Sequence, residues 1–129
     1  METFVSAFNA TQARAHRINV LNGWWADRRR MMELLRSSGE FSISALNAFL
    51  GIHLIGLIHT EPSEAVEALR KPVNPIDSTE PHSVGRELAG TIVRMMDMAE
   101  EMGIPLGECI ELELQRNEKR ARMHGNNVA

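Results

Sequence analysis

The stretch that most restricts how this chain can fold is Phe49 to Ile58, FLGIHLIGLI, apolar throughout except for His53. A bilayer needs about 20 such residues, so this run alone is too short to cross one. Leu46, Phe49, Leu50, Ile52, Leu54, Ile55, Leu57 and Ile58 leave no polar side. A helix apolar all round belongs at the centre of a bundle. The run passes directly into HTEPSEAVEALRK, where Glu61, Glu64 and Glu67 recur every three residues. One helix from about Ile43 to Arg70 would therefore change from apolar to acidic. Pro62 lies within it and removes a hydrogen bond to the carbonyl of Ile58. Two readings stand: Pro62 kinks one long helix, or the helix ends at Thr60 and Pro62 occupies the first turn of another.

The rest of the chain is also helical in pattern. Ala, Leu, Met, Glu and Arg abound, and no β-branched run alternates as a strand would. Thr3 to Leu21 places Phe4, Phe8, Thr11, Ala15, Ile18 and Leu21 along one face, with Asn22-Gly23 as a stop. Asp27 to Arg36 fits a second helix, with Asp27 as its N-cap. Ser42 or Ser44 would cap the long third segment. The proline-rich stretch from Lys71 to Ser83 reads as a loop. Ser83 would cap a helix from Val84 to Met102, with Val84, Leu88, Ile92, Met95, Met96 and Ala99 as its apolar face. Gly103 ends it, and Pro105 opens a last helix reaching about Met123. An all-α bundle of four to five helices, one domain over residues 1–129, is expected. Apolar faces on every helix suit completion by oligomerisation.

Charge narrows the function. A net charge of −3 gives no broad basic surface, so no nucleic-acid polymer is expected as partner. Arg28-Arg29-Arg30 is a local cluster, read as a solvated basic turn. The first residues lack a basic region followed by an apolar one, so no signal peptide and no membrane association are expected. Cys109 is the single cysteine, which suits a reducing cytoplasm. With no base beside it in sequence, it reads as a buried structural thiol.

The carboxylates carry the chemistry. Residues i and i+3 of a helix project from neighbouring points of one face, so Glu61 and Glu64 stand close. Such a pair repels unless it reaches water or holds a cation. A ladder of this kind is most often a solvated face, here pairing with Arg70 and Lys71. Against that stands its position, continuing a buried helix and facing a second acidic patch, Glu87 with Asp97, across the proline-rich loop. Oxygen ligands like these suit Mg²⁺ or Mn²⁺.

HTEPSEAVEALRK resembles the ExxE metal motif of the all-α nucleoside triphosphate pyrophosphohydrolases, the MazG-like group related to dCTP pyrophosphatases and dimeric dUTPases. GRELAGTIVRMMDMAEEMGI resembles their second motif, ExxD. NGWWADRR is similar to their GWW or GFW segment, and LQRNEKRARMHGNN to their C-terminal ending. All four occur in order, from about Asn22 to Asn127.

The resemblance implies a helical bundle that assembles as a homodimer or homotetramer. It implies hydrolysis of a nucleoside triphosphate to monophosphate and pyrophosphate, with Mg²⁺ or Mn²⁺ held by carboxylates. Carried over, Glu61 and Glu64 match ExxE and Glu87 the first acid of ExxD; Gly90 stands where the second acid belongs. Three of four usual carboxylates remain. Asp97 is two turns further on, about 10 Å along the axis, and cannot simply substitute. Glu67, Asp77, Glu80 or His82 could assist. Gly90 costs helix stability, about 1 kcal/mol against alanine, and as a structural residue it would allow close packing.

In that reading Glu61 or Glu64 orients or deprotonates the attacking water. Lys119, Arg120 and Arg122 are candidates for phosphate charge, beside Asn117, and His124 could lie near phosphate. Trp24 and Trp25 either stack on the base or anchor the turn after the first helix. His16, His53 and His59 read as packing or capping residues. Because of Gly90, the alternative is a MazG-like homologue without catalysis that binds a nucleotide or a protein; a purely structural helical module is a third possibility.

Overall fold

The computed structural model describes residues 3–71 and 79–120. Six helical segments follow in order: α1 (Phe4–Leu21), α2 (Ala26–Ser38), α3 (Ile43–Ile58), α4 (Thr60–Arg70), α5 (Val84–Glu101) and α6 (Leu106–Glu118). Only His59, itself right-handed helical, separates α3 from α4, so the chain forms five rods. Among the described residues there is no strand. The expected all-α class is observed.

Local chemistry fixes the helix starts. Thr3, Ser42 and Ser83 each accept a hydrogen bond from the amide three residues on, at Ser6, Ala45 and Arg86. Gly23 and Gly103 take positive φ (85° and 68°) directly after helices, which a side chain would oppose. Asp27 does not cap α2. Trp25 is already near-helical and its carbonyl accepts from Arg29, so Asp27 falls in the first turn, where its charge suits the helix dipole.

The start of α4 at Thr60 puts Pro62 in a first turn, where its missing N–H removes little. The backbone nonetheless continues helically through His59. The resulting 28-residue stretch, Ile43–Arg70, is long and apolar enough to cross a membrane by length and composition alone, a test that core helices of soluble proteins also pass.

α5 is the hub: it packs along α1 and α4 and touches α3, while α6 packs on α1 and α2 on α3. The expected inward faces are largely not the ones buried. On α3 only Leu46, Gly51, Leu54 and Ile58 are buried, and Phe49, Ile52 and Ile55 are exposed, so this helix does not lie at the centre. On α5 the inner face is Glu87, Thr91, Met96, Asp97 and Ala99, whereas Leu88, Ile92 and Met95 face outward. On α1 the buried residues are Gln12 and Ala15, with Phe4, Ile18 and Leu21 exposed.

Paired polar groups replace apolar contacts inside. Gln12 donates to Glu100 (3.0 Å) and to the Ile104 carbonyl (3.2 Å). Asp97 accepts from Trp25 Nε1 (2.9 Å) and Asn19 Nδ2 (2.8 Å), with His16 Nδ1 at 2.7 Å. Buried polar groups need such partners, and here they supply them to each other except at Gln12 Oε1, which is buried without one. Cys109 is exposed, not buried. α6 docks through Gly107, against Phe8 and Asn9 of α1, and a residue two further on lies about 200° round the helix.

Candidate functional site

α4 packs on α5, with Glu61 at its start meeting Gly90 and Arg94 near the middle of α5, and both helices present carboxylates along this contact. Glu61 and Glu64 lie on one face of α4, as their spacing requires; Glu87 stands in the first turn of α5. Each offers an oxygen within 4.8 Å of the others. Glu61 and Glu87 are buried and Glu64 is exposed. Two oxygens bound to one Mg²⁺ are at most about 4.2 Å apart, so small side-chain shifts would let this donor set hold one. Three carboxylates with no soft ligand fit a hard cation such as Mg²⁺ or Mn²⁺.

The cluster is already partly neutralised. Arg94, two turns beyond Glu87 on α5, donates through Nε to Glu61 Oε1 at 2.5 Å. His82, from the end of the loop, places Nδ1 3.2 Å from Glu87 Oε1. The carboxyl of Glu64 is held above its ordinary range, first by a hydrogen bond shared with Glu87, then by the charges of Glu61 and Glu87, with Arg94 opposing.

Gly90 has a spatial reason. A Cβ on it would stand 3.0 Å from Glu61 Oε2. The Glu61 carboxylate thus lies over the bare backbone of Gly90, with its other oxygen on Arg94. The space next to position 90 is filled by Glu61 and not by close backbone packing.

A cavity of about 500 Å³ is lined by Gly90 and Arg94 together with Asn19, Trp24, Arg28, Leu57, Val93 and Asp97. The two tryptophans part company here. Trp24 is 64% exposed and lines the cavity; Trp25 is 2% exposed, its indole N–H given to Asp97. Trp25 is therefore an anchor, and Trp24 alone offers a free aromatic face. Arg28 is no solvated turn residue: its guanidinium lies 5.3 Å from the Trp25 ring centre and donates to the Trp24 carbonyl at 3.2 Å.

Other expected residues are not gathered in. Asn117, Lys119 and Arg120 sit exposed at the end of α6, which packs mainly on α1. Arg122, His124 and Asp77 lie outside the described residues. Glu67 pairs with Arg70 at 3.0 Å, away from the cluster. Asp97 does not join it either; it faces α1 and Trp25, as its distance along α5 from Gly90 requires. His16 proves to be a packing histidine, held between Asp97 and Glu101.

Sequence reasoning missed Arg94, Arg28 and Asn19. A signal existed for Arg94, which stands four residues after Gly90 and seven after Glu87, on one face of the helix. No known family matches the chain, and neither does any curated protein or solved structure.

Proposed function

We propose that the chain is a divalent-metal-dependent nucleoside triphosphate pyrophosphohydrolase of the MazG-like kind. The observation that carries this reading is the convergence of Glu61, Glu64 and Glu87, from two helices, beside a cavity that presents Trp24. Bound among the carboxylates, Mg²⁺ or Mn²⁺ would neutralise phosphate charge and make a bound water a better nucleophile. Glu61 and Glu87 are fixed by burial and by their partners, and serve as ligands. Glu64 is exposed, so in its ionised form it suits the work of orienting or deprotonating the attacking water. Trp24 would stack on the base, with the cavity holding the sugar and the nearer phosphates.

The outward apolar faces support assembly. Ile52, Ile55, Ile92 and Met95 are exposed, and an apolar groove of about 360 Å³, lined by Ile55, Ile58, Pro62, Met95, Met98 and Leu106, runs between α3 and α5. A second copy of the chain, in a homodimer or homotetramer, would cover such a surface.

The test is a panel of nucleoside and deoxynucleoside triphosphates with Mg²⁺ or Mn²⁺, scored for monophosphate and pyrophosphate. Glu61→Gln should lower turnover about a hundredfold. Equal turnover in wild type and variant removes these residues from the site. The Arg94–Glu61 pair favours a second reading, a non-catalytic homologue that binds nucleotide; binding of a non-hydrolysable analogue without turnover of any substrate in the panel would establish it.

A further inference from the structure

The proposed reading leaves the phosphate-binding cations unassigned, since the tail residues Lys119 and Arg120 sit exposed at the end of α6, which packs mainly on α1. We propose that Arg94 and Arg28 bind the polyphosphate, and that Arg94 waits on Glu61 until a divalent cation takes that carboxylate. This inference rests on the metal-centre reading for the release of Arg94, but not for the two arginines' place in the cavity.

Both arginines line the cavity that Trp24 bounds, and Arg94 also borders the carboxylate cluster. A chain of phosphates leaving a base on Trp24 and running toward Glu61 therefore passes both. Arg28 is braced for this by its contacts with the Trp24 carbonyl and the Trp25 ring. A guanidinium so braced loses little freedom on meeting an anion. Arg94 is 51% exposed although it is ion-paired, so its remaining N–H groups reach solvent.

Charge accounts for the release. Three carboxylates carry −3 when fully ionised, and Arg94 offsets one of them. A divalent cation arriving at Glu61 competes directly with Arg94 and repels it at short range. The freed guanidinium then lies beside the anionic substrate, to which it can present a two-pronged hydrogen bond. Gly90 eases this arrangement, because a Cβ there would crowd Glu61 Oε2 at 3.0 Å as Glu61 lies across α5 to reach Arg94.

Two titrations of the full chain test this: Mn²⁺ alone, then inorganic tripolyphosphate at saturating Mn²⁺. Arg28→Gln and Arg94→Gln should each weaken tripolyphosphate about tenfold, and Arg94→Lys should restore only part of the loss, since an ammonium supplies the charge but not the two-pronged hydrogen bond. Arg94→Gln should bind Mn²⁺ at least as tightly as the wild type, because a competitor for Glu61 is gone. Opposite effects on metal and on phosphate are what a merely structural arginine would not give. Unchanged tripolyphosphate affinity in both glutamine variants overturns the proposal. Weaker Mn²⁺ binding by Arg94→Gln overturns the release, since Arg94 would then be holding Glu61 in place for the metal. If the wild type takes up no Mn²⁺, the metal centre itself fails, and tripolyphosphate titrated without metal still decides the role of the arginines.

Discussion

At the scale of single residues, Gly90 and Glu64 govern the candidate site. Glu61 fills the space above Gly90, so Gly90→Asp both crowds a buried carboxylate and adds a like charge beside it. Metal-free Gly90→Asp should therefore melt below the wild type, by about 1–3 kcal/mol in stability. Saturating Mg²⁺ should recover the loss, because a cation shared by four carboxylates turns repulsion into ligation; thermal melts with and without the ion measure both. Glu64 sets the pH response. Its folded-state pKa is raised above the ordinary 4.5, so the folded chain holds a proton that the unfolded chain releases earlier. That contribution is complete below 4.5 and disappears as pH rises through the raised value. Without metal, stability should fall with rising pH across this window, and Glu64→Gln should flatten the slope. Metal affinity should run the opposite way, rising over the same range as the proton leaves.

At the scale of elements, Pro62 separates two accounts of one helix. Inside a continuous helix a proline costs about 3 kcal/mol, while in a first turn it costs almost nothing. α4 begins at Thr60, so Pro62→Ala should change stability by no more than about 0.5 kcal/mol in chemical denaturation. A gain near 3 kcal/mol would mean that the proline strains a single rod. Element ends were legible because their causes are local: a hydroxyl at Ser42 or Ser83, a glycine at 23 or 103. Glu61 and Glu64 were legible as a pair for the same reason, since three residues on a helix fix their relation. The buried faces were not. Gln12, Glu87 and Asp97 are inside because each meets a partner far off in sequence, and hydrophobic periodicity carries no record of such pairing. The same limit hid Arg94, whose partner Glu61 lies on another helix.

At the scale of the whole molecule, an inversion runs through the bundle. Polar groups cluster along α5, where α1 and α4 each pack on it, while Phe49, Ile52, Leu88 and Ile92 face outward. A lone chain of 129 residues keeps that much apolar surface in water only at a cost in stability and solubility, so a covering surface is the economical explanation. Ile52 is the sharpest case, 73% exposed in the middle of the most apolar helix. Burying it in a partner would contribute about 2 kcal/mol per chain, and the symmetry of a homodimer doubles the effect of any substitution there. Ile52→Glu should therefore lower the mass seen by sedimentation from dimer or tetramer to monomer, while the helical signal in circular dichroism persists. If the wild type already sediments as a monomer, the outward face has another occupant. If the variant keeps the wild-type mass, the contact between copies lies elsewhere, and the groove between α3 and α5 is the next surface to substitute, beginning with Met95.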